Sequence, residues 1–131
     1  MDARDGLPEV LAELLRVLVD ANGFSVQVDY RGGMGGRHLV MRGPAASAPP
    51  AEIAFAGELG EWGLSLRFVG MQHFYSPFAW QALLDGGKLR IGEFSEQVEF
   101  VKERLGEAAE IVAELADVEE RLRQLSDVRL I

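Results

Sequence analysis

The spacing of apolar residues changes period along this chain, and those changes limit its fold more than any other feature. Leu7, Val10, Leu11, Leu14, Leu15 and Leu18 recur at helical spacing and make one broad apolar face. Asp5 or Gly6 can cap that helix, Pro8 suits a first turn that needs no amide donor, and Asn22-Gly23 tolerates the left-handed conformation that ends it. The step then becomes two. Phe24, Val26, Val28 and Tyr30 alternate with Ser25, Gln27, Asp29 and Arg31, which predicts a half-buried strand.

Gly32-Gly33-Met34-Gly35-Gly36 breaks the chain, and residues 37–42 read as the returning strand. A loop rich in Ala, Ser and Pro follows from Gly43-Pro44 to Pro49-Pro50. Glu52 to Ala56 is a short third strand, Gly57 to Glu61 a turn, and Trp62, Leu64, Leu66 and Phe68 alternate as a fourth. Two successive hairpins imply an antiparallel sheet. Ser76-Pro77 opens a short helix that Gly86-Gly87 closes, and Lys88 to Ile91 is a short edge strand or an extended link. Ser95 is the expected cap of a last, longest helix running to about Leu125, with Gly106 inside it. The fold class is α+β: an N-terminal helix, a four-stranded antiparallel sheet made of two hairpins, a short helix, and a long C-terminal helix packed on one sheet face. No repeat or boundary interrupts this pattern, so residues 1–131 are read as one domain. The layout resembles, at fold level only, the small α+β proteins that serve as bacterial immunity proteins and secretion chaperones.

Composition narrows the function classes. Cysteine is absent, which excludes disulfides, zinc-thiolate sites and a thiol nucleophile. Lysine occurs only at Lys88 and Lys102 and threonine not at all, a usage expected of a GC-rich bacterial genome. The acidic start, without an apolar leader, and the lack of a long apolar run lead to the expectation of a cytoplasmic protein. Ten acids and two bases lie between Glu93 and Glu120, so this stretch alone carries the net charge of −8, and the remainder is neutral with eleven of each. Such a chain is not expected to seek nucleic acid, whose phosphates need a basic face. A basic protein partner suits it.

The acids fall on the last helix as Glu99, Glu103 and Glu107, then Glu110 and Glu114, each four residues on. Like charges at that spacing disfavour a helix. The row is either a solvated face, some of its acids pairing with Arg31, Arg42 or Arg67 of the sheet, or a face kept negative for a basic surface. Ile111, Leu115, Val118, Leu122 and Leu125 follow coiled-coil steps. They pack on the first helix or form a homodimer seam. Val128, Leu130 and Ile131 read as a docked tail or dimer contact.

Four aromatics and a histidine fall between His73 and Trp80. Phe74, Phe78 and Trp80 either plug the core or form an exposed anchor, with His73 and Tyr75 as surface members. Met34 at a hairpin tip would make an adaptable apolar contact. The glycines around it lack the lysine and following helix of a phosphate loop. His38 and His73 are the only histidines. They show no metal-ligand spacing, and no nucleophile–base–acid set accompanies them. No catalytic residue, metal or cofactor is therefore assigned. The leading expectation is a non-enzymatic protein-binding module that masks a partner. Its contact residues are Met34, His73, Phe74, Tyr75, Trp80, Glu103, Glu107, Glu110 and Glu114. The alternative is an apolar-ligand binder with a pocket lined by Tyr30, Phe55, Trp62, Phe68 and Trp80. A small enzyme using His73 with a carboxylate, and a structural homodimer joined through the last helix, are the remaining classes.

Overall fold

A computed structural model describes residues 6–33, 36–43, 49–58 and 60–127. Helix α1 (Glu9–Arg16) leads into a wider, π-helical turn, Val17–Ala21. Strands β1 (Ser25–Arg31), β2 (Arg37–Arg42), β3 (Ala51–Glu58) and β4 (Glu61–Phe68) form one antiparallel sheet in chain order. Helices α2 (Pro77–Asp85), α3 (Phe94–Glu114) and α4 (Val118–Asp127) follow. This is the α+β layout expected from the sequence. Among the described residues no helix is long and apolar enough to cross a membrane.

All the helices contribute to one core on a single face of the sheet. Leu39 and Met41 of β2, Ile53 and Phe55 of β3, and Leu64, Leu66 and Phe68 of β4 meet Leu11, Leu14, Leu15 and Leu18. Each such fully buried side chain contributes about 1.5–3 kcal/mol. Helix α1 needs only the one face, and Gly23, at φ 73°, turns the chain into β1. Helix α2 is buried at Pro77, Phe78, Ala79, Trp80 and Ala82 because it sits between β4, α3 and α4. Its ends follow the sequence: Ser76 Oγ accepts from the Phe78 amide at 3.2 Å, and Gly86 adopts the left-handed conformation at φ 66°.

Three local features depart from expectation. Ser95 does not cap α3. The helix begins at Phe94 after an extended Glu93 with no side-chain cap, and the Glu96 carboxylate folds back over Gly92, where a Cβ would overlap it. The last helix is not continuous to Leu125. Leu115 is extended (φ −118°, ψ 116°), and α4 restarts at Val118. The break lets α4 pack on α2 while Val118 and Leu122 enter the core. The coiled-coil stripe is thereby divided between two helices, and all but Leu125 of its members join or pack against the core of the same chain. Residues 88–91 link α2 to α3 without forming a strand.

The third departure is a bulge in β1. Val26 pairs with Met41 but Val28 pairs with Val40, so Gln27 is an extra residue in the ladder. An inserted residue exchanges the faces of everything beyond it. Val26 stays on the side of Met41, whereas Val28 and Tyr30 turn to the opposite side of the sheet, level with Val40 and His38.

Candidate functional site

The face to which Val28 and Tyr30 turn lies outside the core. Across it run Val28 and Tyr30 of β1, His38, Val40 and Arg42 of β2, Glu52, Ala54 and Ala56 of β3, and Gly63, Ser65 and Arg67 of β4. Val28 is 46% and Tyr30 65% exposed. In the middle of the face Val40 and Ala54 are buried. At the hairpin end it opens into a shallow depression of about 790 Å³, lined by Tyr30, Arg37, His38, Ala56, Gly57, Glu61 and glycines 32, 33 and 36.

The other end of this face is charged and paired. Glu52, only 4% exposed, accepts from Arg42 Nη2 at 2.8 Å and from Arg67 Nε at 2.8 Å. The three residues are direct cross-strand neighbours, so register alone aligns them. Burial opposes ionisation of Glu52, but the two guanidinium groups outweigh it and hold the carboxyl below its usual range. Arg67 also lies 4.4 Å over the Phe74 ring. The sheet arginines thus meet sheet acids. Arg31 contacts Asp29, and Arg37 grips Asp29 with two bonds of 2.9 and 3.2 Å. The expected pairing of the α3 acids with Arg31, Arg42 or Arg67 is replaced by these contacts.

Glu99, Glu103, Glu107, Glu110 and Glu114 are all exposed on α3. Glu107 pairs with Arg104, which also holds Asp85 of α2 at 2.8 Å. Glu99, Glu103, Glu110 and Glu114 make no ion pair with any described residue. The acidic row therefore stands on the helix layer, away from the open sheet face.

The aromatic segment divides. Trp80 is 0% exposed, donates from Nε1 to the Leu66 carbonyl at 3.0 Å and meets Phe68 edge-on at 5.6 Å. Phe78 and Tyr75 are buried too. His73 is exposed and Phe74 half-buried. Glu119 of α4 ties this segment down by accepting from the Gln72 and His73 amides, each at 2.9 Å, and from Tyr75 Oη at 3.1 Å. Burial again works against its ionisation, but the two amides and the phenol prevail, and its carboxyl titrates below the usual range. The nine contact residues expected from the sequence do not gather in one place. Met34 lies outside the described residues, Trp80 is core, and the glutamates sit on a different layer from Phe74. The five aromatics of the pocket alternative do not enclose one space either. Tyr30 is on the open face, whereas Phe55, Phe68 and Trp80 are packed in the core.

Neither Val28 nor Tyr30 was legible as an open-face residue, because counting in twos does not register an inserted Gln27. The Glu52 triad had a signal: one acid in the apolar run Ala51–Ala56, opposite an arginine in each neighbouring strand. Compared with protein families, curated proteins and solved structures, the chain has no match. Among the described residues no three of His, Cys, Asp and Glu are grouped to hold a metal ion.

Proposed function

We propose that the chain is a non-enzymatic protein-binding module of the bacterial cytoplasm that masks a partner, as immunity proteins and secretion chaperones do. One observation carries this reading: one sheet face takes no part in the main core cluster, and although Val40 and Ala54 in its middle are buried, Val28 and Tyr30 stand exposed on it. A flat apolar patch of this kind, rimmed by paired charges, suits another protein surface. The exposed acids of α3 add a sign preference. They favour approach of a basic partner, an effect on encounter and specificity more than on affinity.

The test is capture of partners from the native lysate by the tagged protein, compared with the double variant Ala56→Arg, Ser65→Arg. Both sites lie on the open face and away from β1. One stoichiometric, salt-sensitive partner that the variant fails to retain is the expected result. A partner held equally by both proteins, or none with either, removes the face from the proposal.

A further inference from the structure

The two edges of the sheet are unlike. On β4, Leu66 exchanges backbone bonds of 2.9 and 3.0 Å with Tyr75, which closes that edge at its middle. Strand β1 is exposed along its whole length. An exposed edge invites another strand.

The outward groups of β1 follow from the ladder. The Gly32 amide donates to the Gly36 carbonyl at 2.9 Å. In an antiparallel pair such bonded positions alternate with unbonded ones. With Tyr30 opposite His38 and Val28 opposite Val40, these two residues direct their amides and carbonyls at β2. Asp29 and Arg31 direct theirs away from it. The far side of β2 agrees: the Gly43 amide bonds to the Ala51 carbonyl at 2.8 Å, which assigns the odd-numbered residues of β2 to β3.

We propose that a second copy of this chain pairs with β1, antiparallel, about a two-fold axis at Tyr30. In that register Asp29 of each copy stands opposite Arg31 of the other, in bonded positions, and the two tyrosines meet in the unbonded position between them. The alternatives are worse. An axis at Asp29 opposes two carboxylates, and one at Arg31 opposes two guanidinium groups. An axis at Val28 asks the bulged stretch at Gln27 to form the ladder. The register at Tyr30 is thus self-complementary in charge, as an isologous contact requires. Asp29 and Arg31 keep their contacts within the subunit, because a carboxylate accepts several bonds. Val28 meets Gly32 of the other copy, which has no side chain to obstruct it. The inference concerns the strand edge and needs no foreign partner, so it stands or falls separately from the masking reading.

The chain has no cysteine, which makes one introduced at the axis informative. Unbonded antiparallel neighbours have Cα atoms about 4.5 Å apart, inside the disulfide range of about 4.4–6.8 Å. The purified protein is examined by light scattering as its concentration rises, and single-cysteine variants Tyr30→Cys and Ile91→Cys are oxidised side by side. Ile91 is exposed too, at 60%. The expected result is a dimer, cross-linked through Tyr30→Cys at least about tenfold faster than through Ile91→Cys, since a fixed neighbour replaces chance collision. Tyr30→Lys, with an unchanged circular dichroism spectrum, is expected to be monomeric. A monomer at every concentration overturns the proposal. So does a dimer that survives Tyr30→Lys, or equal cross-linking at the two sites.

Discussion

The carboxylate of Glu119 meets the backbone amide of His73 at 2.9 Å across 46 residues of sequence. With the Gln72 amide and the Tyr75 hydroxyl on the same carboxylate, this contact fastens the segment after β4 to α4. Glu119→Ala leaves three donors to find water, and a loss of about 1–2 kcal/mol is expected, read by urea denaturation at neutral pH. The pH dependence has a definite sign. The folded carboxyl titrates below its ordinary 4.5, so its stabilisation is complete above that value and is lost as pH falls through the lower folded one. Glu119→Gln is expected to flatten the acid limb of the stability profile.

The Arg42–Glu52–Arg67 row predicts an order of damage. Glu52 is the buried member, and each arginine is more exposed than it. Arg42→Ala leaves Glu52 with Arg67 and is expected to cost under about 1 kcal/mol. Glu52→Ala unpairs both guanidinium groups and is expected to cost about 1–3 kcal/mol. Equal losses in denaturant titrations would mean that the row is no coupled unit.

Trp80 is expected to behave as a core residue. Trp80→Ala removes a fully buried indole and its bond to Leu66, for a predicted loss of about 3–5 kcal/mol. The melting temperature and denaturation midpoint check this. A variant of near wild-type stability would contradict the packing described for α2.

The acidic row of α3 sets stability against binding. Replacing Glu103, Glu110 and Glu114 by Gln removes repulsion between residues four apart while keeping the Arg104–Glu107 pair, and a small rise in melting temperature at low salt is expected. Partner capture is expected to fall about tenfold and to lose its salt dependence. Unchanged capture would assign the row to solvation alone.

Much of the fold was legible because local chemistry and tertiary contacts agree. The Ser76 cap, the Gly86 stop and the β2 alternation of Leu39, Met41 and their partners are each enforced by burial or a backbone angle. Two of the failures share one cause. The bulge at Gln27 and the break at Leu115 carry no Gly or Pro, and apolar spacing continues across both. Tertiary packing selects the break, which brings α4 onto α2, and the bulge keeps Val26 on the side of Met41 while turning Val28 to the other. The candidate site was correspondingly less legible. The exposure of Tyr30 depends on the bulge, and the anchoring by Glu119 depends on the break.

The bridge between Leu66 and Tyr75 has a consequence for stoichiometry. The bridge obstructs strand addition at the middle of β4, whereas β1 is exposed along its length, so the two edges are unequal sites of growth. A strand that joins β1 takes the more open edge, and a third chain meets the one interrupted at Leu66. Fibre formation by edge-to-edge propagation needs two open margins per molecule, and the bridge interrupts one of them at Leu66.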